Sequence, residues 1–531
     1  MAVANAQQVP INVVGSSIFG RYPKISRERT WNMFMSDDWL VNTPGFEFVS
    51  QAFSGAGEGR GLFYSSRSGS QQQFLIAVVG TGVYRIDAGL GFSKIGDIGS
   101  LTGEVTIDEN LASQICIVDG TDAYIIVDGI GVTPQNIFAS HAFSPTYVEY
   151  HNTFFLMTGS PGDINPQNWY IFQPKSGFPT DIEIVSTGGQ KAIETKADNA
   201  VAIKRLPGKG NNIVVFGENV VELWTQVGDV VNYRRAQSFN IDVGCVSANT
   251  VAASTEFVIW LAANENNEPS IYITNGGQAQ RISTDGIDFI LQRIKNPDQS
   301  TAIVFRQDGH LFYQLTFFNE EDNLSLLYDF NTQKFFDISD QNFNFHPARQ
   351  IVYFNGGSYF ISLSDANLYE MSTDIDYYKY SESDDDQYNI PRVRIPKSIR
   401  KADTSTFRAT DFEFWMEQGV NNYQVASTED CSGALVTEGV EPIIAENGDT
   451  ILSQDGECAV QNNPSAIVEL SISKNGGQSY GPVVRRNLNP VGRYQNRVTW
   501  HRMGRANELS LQIRFYGLQR FVVQNGTIAI S

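Results

Sequence analysis

Short apolar runs alternate with polar, glycine-bearing turns through the first two thirds of this chain, and one loose unit recurs. It is an apolar strand, a polar or glycine turn, then a second strand carrying aromatic and β-branched residues. It begins near Phe74 (FLIAVVGTGVYRID), Gln114 (QICIVDGTDAYIIVDG), Val148 (VEYHNTFFLMTG), Val201, Glu256 (EFVIWLAANENNEPSIYIT), Ala302 (AIVFRQDGHLFYQLTFF) and Arg349 (RQIVYFNGGSYFISLSDANLYEMS). Starts roughly 35 to 55 residues apart suit propeller blades of about four strands each. A single blade cannot cover both of its apolar faces, so blades must stack around a ring, and six or seven are expected. The repeats share no tight consensus, which leaves a stack of β-sandwiches as the alternative.

One helix is predicted over 283–295, where Ile287, Ile290, Leu291 and Ile294 fall at helical spacing behind Ser283, Thr284 and Asp285 as possible caps. Pro297 ends it, and its stripe reads as a packing face. Near Ile375 the pattern changes: the acidic SESDDDQY (381–388) precedes the basic PRVRIPKSIRK (391–401). Beyond it Phe412, Phe414 and Met416 alternate with polar residues, as do Val468, Leu470 and Ile472, and Leu509, Leu511, Ile513 and Phe515. Period two implies half-buried antiparallel strands. The expected fold class is all-β: a β-propeller with an additional C-terminal antiparallel β domain. The expected division is an N-terminal arm with docking strands over 1–55, the propeller over 56–375, a linker over 376–401, and the second domain over 402–531, with a polar insertion at about 421–463.

Composition changes this picture in two ways. At 531 residues, 41% hydrophobic and 12% aromatic, the chain can bury at least two cores. Its net charge of -20, from 58 acidic against 38 basic residues, opposes tight wrapping of nucleic acid, whose phosphates demand clustered Lys and Arg. It does not oppose lining a conduit along which DNA slides. Cys116, Cys245, Cys431 and Cys458 stand far apart without CxxC spacing and are read as reduced. The opening MAVANAQQVPINVVG lacks a basic region followed by a long apolar run, and no stretch approaches the roughly 18 apolar residues of a membrane span, so neither leader nor anchor is expected.

Candidate chemistry is sparse. His141, His151, His310, His346 and His501 are isolated in sequence, and Asp384, Asp385 and Asp386 lack the EF-hand spacing. LPGKGNN (206–212) runs into the strand IVVF rather than the helix a phosphate loop needs, and reads as a hairpin turn. No GxSxG elbow occurs. No catalytic residue, metal ligand or cofactor site is assigned. SKNGGQSY (473–480) resembles the Asp-box of sialidase-like propellers, with Asn475 for Asp and Ser479-Tyr480 for Thr-Trp. That motif is a hairpin signature, because Asn and Gly tolerate left-handed turn positions and Ser and Asn bond the turn's backbone.

In its surroundings (471–515) this hairpin resembles the C-terminal signature of the packaged-DNA stabilisation proteins, the tail hub or nozzle proteins of short-tailed phages. The matching residues are Ser473, Asn475, Gly476, Gly477, Arg485 or Arg486, Gly492, Tyr494, Arg497, Val498, Trp500 and Gly504. RERTWNMFM and NTPGFEFV (27–49) resemble the family's opening pattern, and FGENVVELW, the VGCVS around Gly244 and Cys245, and QRISTDGID resemble its propeller landmarks. One departure is the stretch of about 40 residues holding Cys431 and Cys458, which decorates the tail or contacts a fibre, or is a tolerated loop.

The resemblance implies a non-enzymatic virion protein in a ring of identical subunits, six in the family. Its implied partners are portal and adaptor proteins, the tail needle, and tailspikes or fibres, with packaged double-stranded DNA passing through the channel. Assembly is expected in the host cytoplasm. The acidity then suits a wall that repels DNA phosphates, though surface carboxylates for solubility explain it equally well. The rival reading is a propeller that binds or cleaves host glycans, suggested by the Asp-box-like hairpin; a third is an intracellular scaffold propeller.

Overall fold

The structure, a computed structural model, describes residues 7–19, 27–52, 57–65, 73–228, 232–418, 467–488, 495–516 and 520–531. The chain forms two compact units interleaved in sequence: 16–32 with 44–388, and 1–15 with 33–43 and 389–531.

The first unit is a propeller of seven blades. Six sheets follow one another from Gly59–Ser65 to Lys334–Asp337, each an antiparallel meander built on four successive strands. The seventh comprises Ala348–Phe354, Gly357–Ser362 and Asn367–Ser372, and its fourth strand, Gly45–Gln51, comes from the N-terminal end. That strand closes the ring. The first strands of blades 7, 1, 2, 3 and 4 pack on one another in turn, as do those of blades 5, 6 and 7, so the first strands surround the axis.

Burial explains why the inner strands read as nearly continuous apolar runs. In the second strand of blade 3, Phe154–Gly159, Phe155 and Met157 join the core shared with blade 2, while Leu156 joins the core shared with blade 4. The same division recurs between blades 1 and 2, 4 and 5, 5 and 6, and 7 and 1. Both faces are dry, so period two vanishes from the sequence. Each large side chain buried this way contributes roughly 1.5–3 kcal/mol. The closing strand is anchored by Phe46, fully buried, stacked on Tyr378 at 4.4 Å and edge-on to Phe360 and Tyr369 at 5.2 Å.

Loops into each blade and turns between its second and third strands lie at one end of the ring, and aspartates tie them together. Asp119 accepts from the amides of Thr121 (2.9 Å) and Ser100 (3.0 Å), and Asp163 from Ser160 (2.8 Å) and Ser144 (3.0 Å). Asp198 holds the amides of Asn219 (2.8 Å) and Val220 (3.0 Å); Asp322 holds those of Lys295 (2.9 Å) and Asn296 (2.8 Å). Burial alone would raise the Asp322 carboxyl, but its amide donors outweigh burial and hold it below the usual range. We call this end the tied face.

The predicted helix is real but shorter, Asp285–Leu291, with Thr284 as N-cap accepting from Ile287. Its last turn tightens into three-residue bonds from Arg293 to Ile290 and Ile294 to Leu291, ending it well before Pro297.

The second unit stacks two sheets. One runs Met33–Ser36, Trp39–Asn42, Phe521–Ile530, Phe407–Gln418 and Gln495–Ala506, with Gln7–Ile11 also on Phe521–Ile530. The other holds Arg392–Ile395, Glu508–Tyr516, Ile467–Ser473 and Val484–Asn487. Their inner faces share one core, including Phe412, Phe414, Trp500, Val468, Leu470, Leu511, Ile513 and Phe515. The insertion at 421–463, with Cys431 and Cys458, lies outside the described residues. Cys116 and Cys245 are buried and free.

Candidate functional site

Two places concentrate chemistry-bearing side chains: the signature hairpin of the second unit and the axis of the propeller.

The signature turn spends its polar groups on itself. Ser473 Oγ donates to Asn475 Oδ1 (2.6 Å) and accepts from Gly477 N (2.9 Å), while Asn475 Oδ1 accepts from Ser479 N (3.1 Å) and Asn475 Nδ2 donates to Ser479 Oγ (2.8 Å). Gly476 and Gly477 have φ of 71° and 79°, the left-handed region that glycine enters freely. The loop is therefore a turn closed by the side chains of Ser473, Asn475 and Ser479. Arg485 Nε donates to Glu469 (2.7 Å), Arg486 Nε to the carbonyl of Thr499 (2.9 Å) and Arg497 Nε to Glu413 (3.0 Å). Trp500 is buried, stacks on Phe412 at 5.7 Å and donates Nε1–H to the Val484 carbonyl (3.0 Å). Gly504, at φ 95°, lies against the Lys474 ammonium. The signature thus brings together a turn, three strand-to-strand arginine contacts and one core tryptophan. Gly492 and Tyr494 lie outside the described residues.

The upstream landmarks are also contacts of the fold. Arg29 Nε donates to Asp337 (2.9 Å) of blade 6, and Asn32 accepts from Ser339 N (2.8 Å). At Gly244 a Cβ would lie 1.9 Å from the Glu218 carbonyl oxygen, so only glycine lets the two backbones pass.

The axis holds what sequence reading missed. At the tied face, Arg349 of blade 7 donates to Glu104 (3.2 Å) from the loop into blade 2, with Glu58 of the loop into blade 1 at 3.7 Å. The Glu104 carboxylate also lies beside Thr301 of blade 6. A side chain leading into blade 2 that meets blades 6 and 7 must cross the centre of the ring. Glu104 and Arg349 are both buried, so the cluster fills the axis at this end. Arg60 beside it donates to the carbonyls of Gly80, Ser100, Thr102 and Gly103, fixing the loop that carries Glu104. Burial pushes the Glu104 carboxyl up to about 7 against the opposing pull of Arg349.

At the other end of the ring a cavity of about 490 Å³ is lined by residues of blades 3 to 5, among them Tyr150, Asn152, Arg205, Gly208 and Ser254. Beneath it Glu149 receives Lys204 Nζ (2.7 Å) and Arg205 Nε (3.4 Å). Burial works against charge on Lys204, but Glu149 outweighs it and holds the ammonium charged. Burial and then Glu149 raise Asp108 above the usual carboxylate range. The 206–212 stretch is the hairpin turn its spacing suggested, with Leu206 N bonded to the Asn212 carbonyl. His151 is engaged at both ring nitrogens, by Tyr233 (2.7 Å) and the Gly210 carbonyl (2.9 Å), and burial lowers its pKa. Among the described residues no group of three His, Cys, Asp or Glu is placed to hold a metal ion, and no helix is long and apolar enough to cross a membrane.

The family described as bacteriophage P22 Gp10, β-propeller, matches residues 22–376. The tail hub protein gp10 of Salmonella phage P22 is 23% identical over 297 residues, 52% of this chain and 58% of that protein, so the match spans less than two thirds of the relative. Among solved structures, virginiamycin B lyase from Staphylococcus aureus gives a TM-score of 0.41 at 8% identity, covering 62% of this chain and 99% of that one. The Pan2 WD40 domain of Neurospora crassa gives 0.38 at 8% identity, over 64% and 97%.

Proposed function

This chain belongs to the bacteriophage P22 Gp10 β-propeller family of packaged-DNA stabilisation and tail hub proteins, and from that premise we propose that it is a structural, non-enzymatic subunit of a phage tail hub. In this reading several copies, six by the resemblance, form a closed ring below the portal and adaptor. The ring retains packaged DNA, meets the needle and spikes or fibres, and becomes the ejection conduit. Assembly takes place in the host cytoplasm before the protein enters the virion. The observation that carries the reading is the family match over 22–376, which spans the ring from its closing strand, Gly45–Gln51, through blade 7.

The filled axis sharpens the mechanism. Glu104 and Arg349 occupy the centre of the propeller, so its own axis is not the route for a duplex, and the conduit runs between subunits. We assign Ser473, Asn475, Gly476, Gly477, Arg485, Arg486, Arg497, Trp500 and Gly504 a structural role in shaping the second unit. In the Asp-box-like turn the side chains of Ser473, Asn475 and Ser479 bond one another, which supports reading the motif as a hairpin rather than as a glycan-cleaving site.

The test is electron microscopy and mass analysis of the purified chain mixed with a portal–adaptor preparation from its phage. A closed ring docking coaxially is expected. A stable monomer that ignores portal rings, or specific cleavage of bacterial polysaccharide, overturns the reading.

A further inference from the structure

Charge is distributed unevenly between the two compact units: the unit containing the C-terminus is close to neutral as a whole, with half of its acidic residues in 419–466. Apart from residues 419–466, Lys and Arg outnumber Asp and Glu in the unit containing the C-terminus, whereas the propeller is strongly acidic. Within the unit containing the C-terminus, cations gather at one end of the pair Phe407–Gln418 and Gln495–Ala506. Arg408 stands directly opposite Arg505, both exposed, and Arg502 is exposed beside the bulge on the same strand. The Lys474 ammonium comes within 2.7 Å of where Gly504 would carry a Cβ. Four carboxylates of this unit are engaged by other residues: Glu413 by Arg497, Asp411 by His501, Glu508 by Arg400 and Glu469 by Arg485.

Like charges set directly across an antiparallel pair repel. A sheet's edge strand often carries cations to discourage stray pairing, but that purpose does not require two guanidiniums face to face. An anionic partner relieves the repulsion.

The complement is on the propeller. On the tied face the cations among the described loops are Lys196, Arg293 and Lys295. Lys196 is held by Asp242 (3.3 Å) and Glu265 (2.5 Å), and Lys295 by Glu321 (3.1 Å). Glu218, Glu268, Asp298 and Glu320 stand exposed around blades 4 to 6. On the same face Leu101, Phe138 and Ile164 are 63%, 61% and 82% exposed, each next to a residue of an aspartate-tied loop, which gives the surface apolar contacts beside its charge. A chain of net charge -20 is a poor partner for DNA but a good one for its own basic patch.

We propose that the arginine end of the 407–418/495–506 pair in one copy docks on the acidic tied face of a second copy, head to tail, so that the repeated contact closes the ring. A heterologous contact of this kind closes when its rotation does. The inference rests on the ring reading above and names the surfaces that make the ring.

Sedimentation velocity across a salt series tests it, with circular dichroism melts reporting the fold. Wild-type assembly should weaken as salt rises. Arg408→Glu with Arg505→Glu, and separately Glu268→Lys with Glu320→Lys, should each weaken it by on the order of tenfold or more. The four changes together should restore it, and Arg408→Gln with Arg505→Gln should fall between if the reversals fail to fold. A wild type monomeric at low salt, or arginine reversals that assemble with an unchanged salt response, overturns the proposal. So do reversals that keep assembly and lose duplex DNA binding, which makes the patch a phosphate contact. Rings that form and respond to charge as expected, yet ignore portal rings, leave the proposal standing and remove the hub reading instead.

Discussion

The propeller and the C-terminal unit use the same residue types and arrive at opposite sequence textures. FLIAVV in blade 1 is buried at every position, whereas FRATDFEFWM in the C-terminal unit alternates buried Phe407, Ala409, Phe412, Phe414 and Met416 with exposed or half-buried neighbours. A blade strand is covered on both sides by neighbouring blades; a sandwich strand faces its core on one side only. Charge divides in the same way. Asp198, Asp322 and Glu104 of the propeller are bonded inside it, whereas Arg408, Arg502 and Arg505 of the C-terminal unit are exposed while its Arg392 and Arg394 are buried.

The sharpest way to separate the regions is to remove one core aromatic from each. Phe46→Ala and Trp500→Ala should each cost about 3–5 kcal/mol. In calorimetry the first should lower a transition that the second leaves in place, and the reverse. A single transition lowered alike by both contradicts two independent cores.

The axial ion cluster provides a pH test confined to the propeller. The folded-state carboxyl of Glu104 is raised to about 7 from an ordinary 4.5, so between those values the folded chain holds a proton that the unfolded chain has lost. Its contribution to stability is present at low pH and falls as pH rises through that window, by at most about 3 kcal/mol. Urea titrations at a series of pH values should show a slope that Glu104→Gln flattens. An unaltered slope shows that another group sets it.

Smaller effects are expected from the ties. Asp322→Ala leaves the amides of Lys295 and Asn296 without their acceptor and should cost about 1–3 kcal/mol of propeller stability. Smallest of all, Arg408→Ala should change the isolated chain's stability by less than about 0.5 kcal/mol, or raise it slightly, because it removes a repulsion rather than a contact.

Much of this architecture was legible in sequence. Each of the seven recurring starts falls in a different blade, and the alternating runs after 402 mark sandwich strands. The phase within a blade was not legible: the start falls on the first strand at Val148, Val201, Ala302 and Arg349, and on or just before the second at Phe74, Gln114 and Glu256. Two apolar-buried strands look alike whichever comes first. The pairing of Gly45–Gln51 with Asn367–Ser372 spans most of the chain and leaves no local trace. SKNGGQSY was legible as a turn, but the opposition of Arg408 and Arg505 required the register. Glu104 and Arg349 stayed hidden because nothing in the spacing of two isolated charges shows that a closed ring brings them to one centre.

In the hub proposed above the conduit runs between subunits rather than through a propeller. Electron cryomicroscopy of the assembled ring on DNA-filled particles tests it directly. Duplex density in an opening bounded by several copies, with each propeller axis still filled at Glu104 and Arg349, is the expected result; duplex density along a propeller axis, or particles whose DNA is retained without this chain, contradicts it.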